Sequence, residues 1–134
     1  MTLVKRDMPI RAAAVIGGPS DLEAMGRYRP EFVNGDGTHD GWANVWPDYA
    51  RRAADLYRDH SPVFWADKLQ APLLILHSRQ DRLVPVDHAL KMAAALQANG
   101  KSFALHIYDH DGHSLPLNRD DRNRQIVEWF MSVK

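Results

Sequence analysis

The sequence contains no cysteine. Disulfides, thiolate metal sites and cysteine nucleophiles are therefore excluded, and the chain is compatible with a reducing compartment. It also lacks charge imbalance: Lys+Arg and Asp+Glu are both 17, for a formal net charge of zero. A general electrostatic affinity for nucleic acid or an anionic membrane is not expected. No apolar run approaches the roughly 20 residues that a membrane helix needs. The opening residues, Met1 to Pro9, lack the apolar core of a secretory signal. These absences together predict a soluble, cytoplasmic chain with neither a nucleic-acid nor a membrane partner.

What is present is the composition of one ordinary globular domain. The 134 residues suit a single core, and 45% hydrophobic with 25% charged residues excludes general disorder. Three short apolar runs predict buried strands at residues 12–16, 72–77 and 103–108. The first two are almost continuously apolar rather than alternating, as in parallel strands covered on both faces. Each run ends in a turn signal: Gly17-Gly18-Pro19-Ser20, Ser78-Arg79-Gln80-Asp81 and Asp109-His110-Asp111-Gly112.

Helical spacing lies between and after these runs. Residues 47–59 set Tyr49, Ala53, Leu56 and Tyr57 on one side, with Pro47 suited to a first turn. Residues 86–99 place Ala89, Leu90, Ala93 and Leu96 together, with Asp87 as a cap and Gly100 as a left-handed stop. Residues 119–133 present Ile126, Trp129, Phe130 and Val133 at i, i+3, i+4, i+7, the pattern of an amphipathic helix laid on a sheet. The stretch 21–44 is rich in Gly, Asn, Asp, Arg and Pro and reads as a surface excursion with one short helix near Leu22 to Met25. The order implies an α/β fold with a three-stranded parallel sheet and flanking helices.

In a parallel sheet, ligands and reacting groups sit beyond the carboxyl ends of the strands. Asp81 and His113 occupy such positions on consecutive strands. A carboxylate beside an imidazole fixes the tautomer and stabilises the imidazolium formed during proton transfer, so an Asp–His pair is two thirds of an acyl-transfer triad.

The run from Ser61-Pro62 through Asp67-Lys68-Leu69, Pro72-Leu73-Leu74-Ile75-Leu76-His77, Asp81, Val84-Pro85, Gly112-His113 and Trp129-Phe130 resembles the C-terminal part of α/β-hydrolases of the prolyl oligopeptidase type. The resemblance spans residues 10–134. It implies one partial α/β-hydrolase domain over 1–134, with residues 21–60 as an excursion between the first and second strands. It implies a serine peptidase or esterase activity in the parent enzyme, with Asp81 as catalytic acid and His113 as catalytic histidine. Ser78 departs from the pattern, which commonly has Gly after the strand-terminal His.

The family's order is Ser, Asp, His, with the serine in a G-x-S-x-G elbow on an earlier strand. No G-x-S-x-G occurs in these 134 residues. Ser20 follows Pro19, which does not suit the strained elbow. Ser78 has bulky neighbours, and Ser114 reads as a loop residue. The resemblance thus implies an acid and a histidine without a nucleophile, inactive alone. It also implies an unpaired edge on the first strand, where the nucleophile strand would lie. Two partners answer that edge: a second copy paired antiparallel about a two-fold axis, or a separate N-terminal half. A non-catalytic self-associating module is the alternative function.

Other clusters have simpler readings. His106, His110 and His113 are close in sequence, but zinc needs three or four converging ligands, so no metal and no cofactor is expected. His39-Asp40 reads as solvated. Trp42, Trp46 and Trp65 are expected to pack the excursion against the sheet, with lining of a substrate cleft as the other reading. Arg27, Arg29, Arg51 and Arg52 are candidate anion binders, although Arg51 and Arg52 fit a solvated helix face.

Overall fold

The computed structural model describes residues 9–133. The reading of the opening segment as lacking a secretory signal rests on residues 1–8, outside those described, together with Pro9. The sheet has three parallel strands in the order β1-β2-β3: β1 Ala13–Ile16, β2 Leu73–Ser78 and β3 Phe103–Tyr108. Ala13 is in register with Leu73, and Leu73 with Phe103. The third strand has the expected bounds, the first starts one residue later than expected, and the second is shifted by one residue at both ends.

β2 is buried along its whole length, which its position between two strands and between two helical layers requires. Side chains alternate across the sheet. Leu73 and Ile75 point to one face, into a cluster with Ala66, Ala89, Met92, Ala93 and Leu96. Leu74 and Leu76 point to the other, against Leu115, with Ile126 and Trp129 at the margin. Each fully buried leucine contributes about 1.5–3 kcal/mol through removal of apolar surface from water.

The excursion is more helical than its composition suggests. After β1 come α1 Leu22–Tyr28, α2 Glu31–Asn34, α3 Trp42–Val45 and α4 Tyr49–His60, then a 3-10 helix over Pro62–Lys68. One short helix was expected before residue 44, and three are present. Asp21 starts α1 by accepting from the Ala24 N–H at 2.9 Å, and its other carboxylate oxygen holds Lys91 Nζ at 2.9 Å. Pro47 does not sit in the first turn of α4. The chain passes through a left-handed Asp48 (φ 58°) before the helix begins at Tyr49.

The tryptophans also pack differently from the expectation. Trp42 stacks on Phe32 and Trp46, and Trp46 stacks on the His60 ring at 4.7 Å. Trp65 donates its indole N–H to the Arg58 carbonyl at 3.0 Å. None of the three joins the apolar clusters on the sheet. The excursion is instead consolidated by its own aromatic rings, whose stacked and edge-on contacts stabilise a segment with few aliphatic residues.

Two helices complete the layers. α5 Asp87–Ala98 covers the Leu73–Ile75 face, and α6 Arg119–Ser132 the Leu74–Leu76 face. Val86 rather than Asp87 is the residue before α5, and Asp87 lies in its first turn. Gly100 does adopt the left-handed conformation, at φ 62°. α6 is pinned to β1 by Trp129, whose indole N–H donates to the Ala13 carbonyl at 3.0 Å. Phe130, expected on the covered stripe, is 48% exposed. The stripe is covered only along Ile126 and Trp129, where the sheet reaches it.

Candidate active site

The carboxyl ends of β2 and β3 bring Asp81 and His113 together. His113 Nδ1 lies 2.8 Å from Asp81 Oδ2. The Asp81 side chain is fully buried, whereas the His113 ring is 36% exposed. Among the described residues no hydrogen bond is found at His113 Nε2, so the far edge of the ring is available to a substrate or a hydroxyl.

Local geometry explains how the carboxylate is held. Asp81 follows β2 by three residues, and its Oδ1 accepts from the N–H groups of Leu83 at 2.8 Å and Val84 at 3.0 Å. This is an Asx-type turn, the ordinary structural use of such a residue. The two readings of Asp81 therefore apply to different atoms: one oxygen closes a turn, and the other faces His113.

The histidine loop is built around a second buried aspartate. Asp111 Oδ1 accepts from the N–H of Gly112 at 2.7 Å and of Leu117 at 3.1 Å. Its Oδ2 accepts from the Asn118 backbone at 2.9 Å and side chain at 2.7 Å. Burial works to raise the pKa of Asp111, but these donors outweigh it and hold the carboxyl below its ordinary value. Ser78 joins this loop to the Asp81 loop: its buried hydroxyl donates to the Asp111 carbonyl at 2.6 Å and accepts from the Gln80 N–H at 3.1 Å. A glycine at 78 would lack both bonds.

Two further residues shape the loop. Leu115 is a fully buried non-glycine residue at φ 54° and packs beneath the strand ends against Leu74 and Leu76. A left-handed leucine costs roughly 1–2 kcal/mol, so burial of its side chain must over-determine the conformation. Gly17, at the end of β1, backs against the His113 ring. Sequence patterns do not single out either residue.

Two of the three serines weighed as substitute nucleophiles have buried, bonded hydroxyls. Ser20 is buried and its hydroxyl donates to the His88 carbonyl at 2.7 Å. Ser78 Oγ is wholly buried in the bridge just described. Ser114 is exposed, and its carbonyl accepts from Arg122 at 2.5 Å. The histidines do not converge: His110 Nδ1 meets Gln80 at 3.0 Å, while His113 Nδ1 meets Asp81. Among the described residues no group of three or more His, Asp or Glu is placed to hold a metal ion. Arg27 and Arg29 pair with Glu23 at 2.8 Å and Glu31 at 2.6 Å, and Arg51 with Asp48 at 2.6 Å. His39 sits in a surface loop within 3.5 Å of Asp36. Among the described residues no helix is long and apolar enough to cross a membrane.

A three-stranded parallel sheet with helices on both faces, carrying an acid and a histidine beyond adjacent strand ends, is the architecture of part of an α/β-hydrolase. The comparisons with known proteins agree. The model of the prolyl oligopeptidase family matches residues 26–133, and the chain belongs to that family. It is 34% identical over 77 residues to the uncharacterized peptidase YuxL of Bacillus subtilis, covering 54% of this chain and 12% of that protein. It is 31% identical over 86 residues to acylamino-acid-releasing enzyme 2 of Oryza sativa subsp. japonica, covering 63% of this chain and 11% of that protein. Among solved structures, an acylaminoacyl peptidase in complex with Z-Gly-Gly-Phe-chloromethyl ketone superposes with a TM-score of 0.76 at 24% identity, over 98% of this chain and 21% of that one. The Pyrococcus horikoshii acylaminoacyl peptidase superposes with a TM-score of 0.70 at 25% identity, over 96% of this chain and 21% of that one. The chain thus spans about a fifth or less of the length of these relatives.

Proposed function

We propose that the chain supplies the acid and the histidine of a serine hydrolase, acting on a peptide or ester. The observation that carries this reading is the 2.8 Å contact between a fully buried Asp81 carboxylate and the partly exposed His113 ring. Asp81 holds the proton of His113 on Nδ1 and leaves Nε2 as the base. Nε2 takes the proton of a serine hydroxyl as its oxygen attacks the acyl carbon, then returns that proton to the leaving group as the carbon–heteroatom bond breaks. Water repeats the cycle on the acyl-serine. The buried carboxylate stabilises the imidazolium at each stage.

The nucleophile and oxyanion hole come from outside these 134 residues, because the sequence has no G-x-S-x-G and the Ser20 and Ser78 hydroxyls are buried in internal bonds. By itself the chain does not turn over acyl substrates. The segment carrying the serine pairs with β1. The N–H groups of Ala13 and Gly17 donate to the Pro72 and Leu76 carbonyls on the β2 side, so Ala14 and Ile16 direct theirs away from it. Beside this edge an apolar cavity of about 190 Å³, lined by Val15, Pro19, Leu69, Ile75 and Met92 among others, offers room for a covering element. Reactivity toward a fluorophosphonate probe, recovered on mixing with a nucleophile-bearing half, tests the reading.

Among the described residues β1 pairs with β2 alone, and its other edge favours a second reading, a non-catalytic module that pairs with its own copy. Two three-stranded sheets would join antiparallel about a two-fold axis into six strands. Exchange of the excursion between copies is a different route to self-association. A stable monomer at micromolar concentration in analytical ultracentrifugation contradicts self-association.

A further inference from the structure

His77 is the most deeply buried titratable ring in the chain outside the proposed pair, at 1% exposure, and the reaction outlined above does not use it. It lies at the end of β2, four residues before Asp81. Its Nε2 is 2.8 Å from the Val84 carbonyl oxygen and 3.4 Å from Asp81 Oδ2. Its Nδ1 is buried and has no partner.

These contacts determine where the proton sits. A carbonyl oxygen and a carboxylate oxygen both present lone pairs to Nε2, so Nε2 carries hydrogen. A proton on Nδ1 as well would bury an N–H without an acceptor, which the interior penalises. The ring is therefore neutral, with hydrogen on Nε2 and a bare Nδ1.

We infer that His77 is a positioning residue for the Asp81–His113 pair: its Nε2–H donates to the Val84 carbonyl and so holds the turn whose N–H groups fix Asp81, with the same ring edge packed against Oδ2. The inference rests on the proposed roles of Asp81 and His113. Oδ1 of Asp81 is fixed by two backbone N–H groups of the turn. Pinning Oδ1 also sets where Oδ2 points, since the two oxygens turn together about the Cβ–Cγ bond. His77 secures this orientation by holding the Val84 carbonyl, and with it the turn, while its ring edge bounds the space beside Oδ2 at 3.4 Å. Oδ2 is then presented to His113 Nδ1. Because His77 stays neutral, it leaves the carboxylate charge to the imidazolium that forms on His113.

The experiment uses the full chain and nitrogen-15 NMR of the histidine rings. In the unmodified protein near neutral pH, His77 is expected to show a pyrrole-type Nε2 bearing hydrogen and a pyridine-type Nδ1. Hydrogen on Nδ1, alone or together with Nε2, overturns the inference. Two variants then probe the coupling. His77→Phe fills the site without an N–H and should abolish the downfield, slowly exchanging Nδ1 proton signal of His113. His77→Gln places an amide N–H near the position of Nε2 and should retain that signal. Native Leu74 and Leu76 methyl shifts report folding in each case. A folded Phe variant with an unchanged His113 signal, or a folded Gln variant that loses it, contradicts the inference. If the Phe variant does not fold, the tautomer in the unmodified chain and the Gln variant decide. None of these readouts requires turnover, so failure to reconstitute a hydrolase would leave them standing, and the converse also holds.

Discussion

Gly17 and His113 are in contact across the end of the sheet: a β-carbon on Gly17 would stand 2.9 Å from Nδ1 and Cε1 of the His113 ring and 2.8 Å from its carbonyl oxygen. Gly17 is also at φ 56°, where any other residue is strained. Gly17→Ala is therefore expected to lower stability by about 1 kcal/mol or more and to push the ring away from Asp81. Gly112→Ala serves as the control, since its β-carbon would meet only Pro116, at 3.8 Å and beyond. Urea midpoints and the His113 Nδ1 proton signal distinguish the two, with loss expected for Gly17→Ala alone.

Leu115 ties the histidine loop to the core. Leu115→Ala removes a fully buried side chain while keeping the unfavourable left-handed backbone. The expected cost is about 2–5 kcal/mol. Leu115→Gly relieves the backbone strain, so it should be no worse than the alanine variant despite losing one more carbon. Denaturant titration of both checks this, and a glycine variant markedly less stable than alanine would contradict the strain argument.

Acid should weaken the fold in two stages. His88 is buried, and this lowers its pKa below the ordinary value against the opposing pull of Asp21. The unfolded chain then binds the extra proton first, so stability falls as the pH drops from the usual histidine range through the folded value. Protonation also removes the Nδ1 lone pair that accepts from Ser20 and Asp21, each at 3.3 Å. Asp111, with its pKa held down by its donors, contributes stability that is complete above the ordinary aspartate range and is lost as pH falls through its folded value. Urea midpoints at about pH 7, about pH 5 and about pH 3 should decline in that order. His88→Gln should flatten the upper step and Asp111→Asn the lower one.

Edge pairing through β1 has a specific probe. The Ala14 N–H points away from β2, so Ala14→Pro removes an outward donor without breaking a bond to β2. If copies associate through this edge, the variant sediments as a monomer under conditions where the unmodified chain is a dimer. Unchanged association would assign the contact to another surface.

The central strand was legible because a strand buried on both faces must be apolar throughout, as residues 73–76 are, and the half-buried outer strands were legible as short apolar runs ending in turn signals. The excursion was not, because its helices are four to seven residues long before α4 and are held by ring stacking among Phe32, Trp42, Trp46 and Tyr57, residues far apart in sequence. Family resemblance identified Asp81 and His113, and the fold explains their proximity. Ser78, His77, Gly17 and Leu115 act through tertiary contacts that no local spacing encodes. Ser78 departs from the family pattern, and its hydroxyl donates to the Asp111 carbonyl at 2.6 Å.

The central claim is that Asp81 and His113 serve a serine supplied by another segment. The direct measurement is fluorophosphonate labelling after mixing this chain with a polypeptide that carries the upstream strands and G-x-S-x-G elbow of a family member. The account predicts labelling of that serine only in the mixture, with loss on His113→Ala and a strong decrease on Asp81→Asn. Labelling of this chain alone, or equal labelling of the mixture with His113→Ala, would contradict it.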